Sequence, residues 1–202
     1  MFYDKALFPW LPPIEENWRA IRAEMLGAGG EGFLPYVERH LYNFGWSVYG
    51  LYAWGIRLDV HCEECPETTR LIEAIPGLFT AGFSRLDPRT HIRAHCGGPE
   101  GVLRLHLPLL APEGCEFRVG DRTRPWREGE AFVFDDCLEH EAWNRGDSPR
   151  VVLLLDFPAP DLVHYPPKPK RVKGAVDALF GGPAIPRYKP EGATLAELRE
   201  RL

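Results

Sequence analysis

No apolar run in the 202-residue sequence approaches the roughly 18 residues of a membrane span, and positive charge is not in excess. Lys and Arg number 24 against 29 Asp and Glu, a formal net charge of −5. The first lack argues against a spanning helix, the second against the strongly basic face that a nucleic-acid backbone requires. Met1 to Trp10 lacks the basic segment and long apolar core of an export signal, so a soluble cytoplasmic protein is expected. No internal repeat or low-complexity segment is evident. Five cysteines, an odd number without an export signal, fit reduced thiols better than a disulfide framework. Cys62 and Cys65 have metal-knuckle or redox spacing in His61-Cys-Glu-Glu-Cys65. A second such pair is lacking, so they read as a loop with two reduced thiols rather than a zinc site.

What is present divides into three stretches, expected to form a single domain over 1–202: an N-terminal helical and extended support (1–76), a jelly-roll core (77–162) and a C-terminal extension (163–202). Ile14, Trp18, Ile21 and Met25 recur at helical spacing after a proline-punctuated lead-in from Phe8. Phe33 to Tyr42 reads as a short helix, Trp46 to Leu58 as extended, and Pro66 to Ile75 as a helix with Pro66 in its first turn. Short strands then follow closely: Leu78 to Leu86, His91 to Cys96, Val102 to Leu110, Cys115 to Val119, Ala131 to Asp135, His140 to Asn144 and Val151 to Phe157. Turn signals such as Gly97-Gly-Pro99 and Gly146-Asp-Ser-Pro149 separate them. Such texture predicts a mainly β fold, a double-stranded β-helix of the jelly-roll, cupin-like kind. In Val102 to Leu109 the leucines 103, 105, 107 and 109 form one face. Arg104 and His106 share the other, which a jelly roll can turn toward its cavity. From Pro158 onward prolines and the basic run Lys168, Lys170, Arg171 and Lys173 predict a surface-wrapping extension, with short helices near Val172 to Phe180 and Thr194 to Leu202.

The chemistry concentrates in Thr90-His-Ile-Arg-Ala-His-Cys-Gly-Gly98 and Phe134-Asp-Asp-Cys-Leu-Glu-His-Glu-Ala-Trp-Asn144, with Arg150 opening the apolar strand that follows. Two imidazoles, His95 and His140, suit iron when open positions remain beside them. An arginine fork suits the distal carboxylate of a 2-oxo acid and stays charged when buried. Gly97 stands where many such oxygenases carry a third, carboxylate ligand.

Phe83-Ser-Arg-Leu-Asp-Pro-Arg-Thr-His-Ile-Arg-Ala-His-Cys-Gly97, Leu103-Arg-Leu-His-Leu107, Trp126-Arg-Glu-Gly129 and Arg150-Val-Val-Leu-Leu-Leu-Asp156, together with the His140 segment, resemble the aspartyl/asparaginyl β-hydroxylase family of Fe(II)/2-oxoglutarate dioxygenases. The resemblance runs from about Leu78 to Leu162, and more weakly through Phe8 to Met25. It implies His95 and His140 as iron ligands, Arg150 as partner of the 2-oxoglutarate C5 carboxylate, and Ser84, Arg104 and His106 as further residues of the cosubstrate site. It also implies a glycine at position 97, since the family lacks the metal carboxylate, and a reaction that consumes O2 and 2-oxoglutarate and releases succinate and CO2. Water would complete the iron coordination, with Asp135 or Asp136 orienting it or an imidazole. The segment Cys96 to Leu103 departs from the family's usual Gly-Pro-Thr-Asn-x-x-Leu. The expected substrate is an amino acid or an aspartyl or asparaginyl residue of a peptide, with a lipid acyl chain as the alternative.

Other readings weigh against this one. A cupin-like barrel can serve as a metabolite-binding or sensor module, or as a zinc or manganese isomerase or hydrolase. His91 with His95 makes a zincin-like pair only on a helix, and His61-Cys-Glu63 lies too early for a jelly-roll ligand set. His40, His61 and His164 read as ordinary core or surface histidines. Trp126, Phe134 and Trp143 read as barrel packing, and Arg118, Arg122, Arg124 and Arg127 as a solvated hairpin with acidic-substrate recognition as the alternative.

Overall fold

The computed structural model describes residues 2–28, 32–98 and 100–160; the expected C-terminal extension, its helices and His164 lie outside them. In chain order the elements are β1 (Phe2–Tyr3), α1 (Leu11–Glu16), α2 (Trp18–Gly27), β2 (Leu34–Pro35), β3 (Trp46–Ala53), β4 (Ile56–Arg57), α3 (Asp59–Glu64), α4 (Pro66–Ile72), β5 (Thr80–Leu86), β6 (His91–His95), β7 (Val102–Leu110), β8 (Cys115–Val119), β9 (Arg122–Pro125), β10 (Phe132–Asp135), β11 (His140–Asn144) and β12 (Arg150–Pro158). Among the described residues the strands form two antiparallel sheets. One runs β1-β10-β7-β12-β5-β3-β2 with β4 beside β3, the other β6-β11-β8-β9. From β5 to β12 the chain passes back and forth between them, the winding of a double-stranded β-helix.

Side-chain alternation assigns the two faces of the larger sheet. Leu103, Leu105, Leu107 and Leu109 of β7, with Leu153 and Leu155 of β12, pack into one apolar cluster with Ile14, Ile21 and Met25 of the helices. Helices therefore cover the outer face. The opposite face meets the smaller sheet through Phe117, Trp126, Phe132, Phe134 and Val152. At full burial each Leu or Phe contributes about 1.5–3 kcal/mol relative to exposure, so both layers matter. A corner clasp fixes the crossover from β5 to β6. The Arg85 Nε donates to Asp87 Oδ1 at 2.6 Å within the core, and the Asn144 side-chain amide donates to the carbonyls of Leu86, Asp87 and Ser148.

Three expectations need correction. Phe33 to Tyr42 is not a helix but the edge strand β2 followed by a 3-10 turn at Arg39–Leu41. Pairing of Leu34 and Pro35 with Val48 and Ser47 of β3 holds the segment extended, and Pro35 is tolerated because an edge strand needs no donor there. Cys62 and Cys65 do not sit on a loop. Cys62 lies in α3 and Cys65 joins α3 to α4; both thiols are free and buried. Burial pushes the Cys65 thiol up to about 12, which keeps it protonated and unreactive. Trp143 does not pack the barrel: it points outward, stacked on His91.

The helical layer is tied together by Glu24 of α2. Its carboxylate accepts from Glu67 N, Thr68 N and Thr68 Oγ1 at 2.6–2.7 Å, supplying the first turn of α4 with acceptors its own chain cannot offer. Glu24→Ala is expected to cost about 1–3 kcal/mol, read as a lowered urea midpoint with an unchanged slope; a shift under a tenth of that would show that α4 does not need the cap.

Candidate functional site

Strand pairing brings the two distant histidine segments together. His140 on β11 is the register partner of His95 on β6, with a bulge between His140 and Ala142, and the two rings lie 4.2 Å apart, centroid to centroid. Each ring is tied to the backbone two residues before it. His95 Nδ1 donates to the Arg93 carbonyl at 2.7 Å and His140 Nδ1 to the Leu138 carbonyl at 2.8 Å. A carbonyl can only accept, so each Nδ1 carries the proton of its tether. Burial drives the His140 pKa down to about 3, so that ring is neutral at ordinary pH.

Asp136, fully buried, faces this pair. Its Oδ1 lies 3.4 Å from His140 Nε2 and 2.7 Å from Arg104 Nη1, yet neither oxygen has an aligned hydrogen-bond donor among the described residues. A carboxylate oxygen facing an imidazole lone pair is two acceptors without a donor between them. Burial raises the Asp136 carboxyl, and the Arg104 charge opposes the rise. Gly97 explains why the space exists. A Cβ there would collide with Asp136 Oδ2 and lie 2.8 Å from its Cγ, so the carboxylate occupies the volume a side chain at 97 would fill. Of the two candidate aspartates, Asp136 is the inward one. Asp135 ends β10, and its carboxylate accepts from Cys137 N.

Arg104 and His106 do share the inner face, as the alternation of β7 predicts. Arg104 is heavily committed: Nε and Nη2 fork onto Asp156 at 2.7 and 2.9 Å, while Nη1 reaches Asp136. Burial works against its charge, but the two aspartates win and hold its pKa above the ordinary range. His106 lies in an aromatic box of Phe117, Trp126, Phe132 and Phe134. Its Nδ1 has no partner among the described residues, and burial, with Arg150 and Arg104 adding to it, pushes its pKa well below 6.5.

Arg150 is the buried cation at the start of β12, 1% exposed. One Nη1 donates to the Ser84 carbonyl at 3.2 Å, the guanidinium lies 4.4 Å over the Trp126 ring, and Nε is unpartnered among the described residues. Burial lowers its pKa to about 9. Among the described residues no carboxylate pairs with it. Ser84 is buried beside it, its Oγ accepting from Trp46 Nε1 at 3.1 Å, which leaves the hydroxyl proton free to donate.

The remaining candidates fall elsewhere. His91 bonds Glu141 at 2.8 Å, and His61 bonds the Gly50 carbonyl while stacked on Tyr49. Arg118 is bound by Glu139 and Glu141. Sequence reasoning missed Asp156 as a site residue. It shares strand parity with Arg150 and is the register partner of Arg104, a signal available only once β7 and β12 are paired. Among the described residues no set of three or more His, Cys, Asp or Glu forms a ready metal cluster; the converging donors are the two imidazoles with Asp136 beside them.

Sequence comparison places this geometry in company. A sequence model of the family described as aspartyl/asparaginyl beta-hydroxylase matches residues 15–160. The ornithine lipid ester-linked acyl 2-hydroxylase of Rhizobium tropici is 40% identical over 169 residues, 78% of this chain and 60% of that protein. The human aspartyl/asparaginyl beta-hydroxylase is 35% identical over 160 residues, 74% of this chain and 21% of that protein. The chain thus spans less than two thirds of either relative. A solved oxidoreductase of the 2OG-Fe(II) oxygenase family from Burkholderia pseudomallei is loosely similar, with a TM-score of 0.49 and 17% identity over 68% of this chain and 77% of that one.

Two outcomes are expected. Gly97→Ala should cost about 1–3 kcal/mol by forcing Asp136 aside, and Asp136→Ala in the same chain should recover most of it; additive losses in a double-mutant cycle would show that the two positions do not compete. His106 is neutral when folded and gains its proton on unfolding once pH falls below about 6.5. Its contribution is present above that pH and lost as pH falls. Urea unfolding of His106→Phe should therefore lose less stability between pH 7.5 and 5.5 than the native chain, and equal slopes would refute the neutral assignment.

Proposed function

The chain belongs to the aspartyl/asparaginyl β-hydroxylase family, and from that membership and the site geometry we propose an Fe(II)- and 2-oxoglutarate-dependent hydroxylase of an unactivated C–H bond. The observation that carries the reading is Arg150, a guanidinium buried against Trp126 with no carboxylate partner among the described residues. Burying a charge without a counter-ion is costly, and an anionic cosubstrate would supply the missing one. Arg150 would fork onto the C5 carboxylate, with the Ser84 hydroxyl as a second donor and His106 lining the same box.

The donor set fits the metal. Both imidazoles hold a proton on Nδ1, and the Nε2 lone pair of the neutral His140 ring lies 3.4 Å from Asp136 Oδ1, an arrangement that a cation with its bound water would relieve. Imidazole suits Fe(II), and two protein ligands leave positions open for cosubstrate and O2. His95 and His140 would hold the ion, and Asp136, steadied by Arg104, would orient a water on it. Iron with 2-oxoglutarate supplies oxidative decarboxylation: one oxygen atom enters succinate as CO2 leaves, and the other enters the substrate C–H bond. The aromatic box around His106 excludes bulk water from this space.

The relatives' names divide over substrate, an aspartyl or asparaginyl residue in one and a lipid acyl chain in the other. These ask for different walls. A carboxylate or amide side chain needs a free polar fork, an acyl chain a long apolar trough.

Purified protein given Fe(II), ascorbate and 2-oxoglutarate is expected to form succinate, even uncoupled. Arg150→Ala should weaken 2-oxoglutarate binding by on the order of 100-fold, the loss of a paired, charge-assisted fork, and Arg150→Lys by less. No succinate from the native chain, together with His95→Ala and His140→Ala variants that keep full ligand binding, would overturn the oxygenase reading in favour of a binding module.

A further inference from the structure

Strict alternation along β6 would aim His95 away from His140. Ile92 is buried between the two sheets, and His91 lies on the outward side, stacked on Trp143. His91, Arg93 and His95 share strand parity, so a regular strand would turn all three outward. The rings of His95 and His140 nevertheless face one another, and the bulge in β6 is the reason. Ala142 is the register partner of Ile92, and His140 that of His95. Arg93 and Ala94 therefore stand together opposite the single residue Glu141. One extra residue on a strand reverses the facing of those that follow, and His95 comes directly after it. We propose that Arg93 is a positioning residue for His95: its side chain pins the bulge to the 3-10 turn at Arg39–Leu41, and the bulge turns His95 inward and supplies the carbonyl that holds its ring. The inference rests on the metal-binding role given to His95 above and adds a residue to it.

The Arg93 side chain is exposed, and among the described residues no carboxylate pairs with it. Its Nη1 instead donates to the His40 carbonyl at 2.5 Å. The backbone of the same residue accepts from His95 Nδ1 at 2.7 Å. Arg93 thus holds the turn through its guanidinium and the imidazole through its carbonyl. Any residue at position 93 would have that carbonyl; the bond to His40 decides where it points. With the proton kept on Nδ1, Nε2 is the ring atom left to take a metal.

β6 is an edge strand of the smaller sheet, so its bulge has no neighbouring strand on the far side to fix it. Residues 40–43 take that place. Tyr42 bridges to Ile92. Asn43 brackets His91, its backbone N donating to the His91 carbonyl at 3.3 Å and its side-chain oxygen accepting from His91 N at 2.9 Å. Arg93 carries this strap one contact further, onto the bulge itself. Past the bulge the strand is fixed again, where Gly97 N donates to the Asp136 carbonyl at 2.8 Å. Between these fixed points a slip of one residue would swing the imidazole away from His140, and the Arg93 side chain is what opposes it.

The first readout needs neither metal nor 2-oxoglutarate, so it stands apart from the oxygenase reading. Long-range proton–nitrogen spectra of the metal-free chain at mildly alkaline pH should show His95 protonated on Nδ1 and bare at Nε2. Arg93→Met, which keeps the aliphatic stem and removes the donors, should turn His95 into a mixture of both tautomers and leave His140, held by Leu138, as it was. Calorimetric titration with Co(II) should then give an affinity about tenfold weaker in Arg93→Met, largely restored in Arg93→Lys, whose ammonium still reaches toward His40. Should Arg93→Met not fold, Arg93→Gln, too short to reach the His40 carbonyl, takes its place. In a native chain that binds Co(II), an unchanged His95 tautomer or an unchanged affinity in the variant overturns the proposal and leaves Arg93 as a cover for the sheet edge. A native chain that binds no Co(II) while the tautomer shift persists sinks the metal reading of His95 and upholds its positioning by Arg93.

Discussion

Everything at the centre of this molecule depends on how two guanidiniums are kept under a sheet. Desolvating a cation costs several kcal/mol unless something of opposite sign is set against it. Arg104 solves the problem internally, with Asp156 across the ladder between β7 and β12 and Asp136 arriving from the end of β10. Arg150, on the same strand as Asp156, is given an aromatic face and a backbone carbonyl instead. One arginine is thereby part of the wall and the other remains available. Aspartates beside Arg150 would fill the anion position that the proposed reading gives to the cosubstrate.

The division of labour between the faces of the larger sheet follows from the same constraint. The outer face is leucine, isoleucine and phenylalanine against three helices, with Glu24 satisfying the start of the fourth. The buried charge on that side of β5, Arg85, is met two residues on by Asp87, so the face can be packed tightly. The inner face carries Ser84, Arg104, His106, Arg150 and Asp156 on neighbouring strands, interleaved with the aromatic side chains that keep them dry. Rigid packing on the outer side holds the polar inner-face residues in place, and register within the smaller sheet places His95 opposite His140.

Much of this was legible in residue order. The alternation of Val102 to Leu109 separated Arg104 and His106 from the leucines, and the short apolar runs marked most strands to within two residues. What was hidden depended on long-range pairing or on leaving regular structure. Asp135 and Asp136 cannot be told apart by alternation because β10 stops at Asp135 and a turn begins, so the second carboxylate escapes the strand's parity. Asp156 looks like an anomaly in a run of leucines until β12 is laid against β7. Phe33 to Tyr42 misled because a two-residue edge strand offers too few positions to display a period, and Cys62 misled because cysteine spacing says nothing about burial.

The tethers of the two histidines have a further consequence. Each imidazole is bonded to the carbonyl two residues earlier, Arg93 on β6 for His95 and Leu138 in the bend before β11 for His140, so ring rotation is settled before anything binds. The side-chain freedom that a ligand would otherwise have to quench was already spent when the strand formed. Whatever meets these rings therefore finds them already aimed, one by a strand and the other by the bend that leads into its strand.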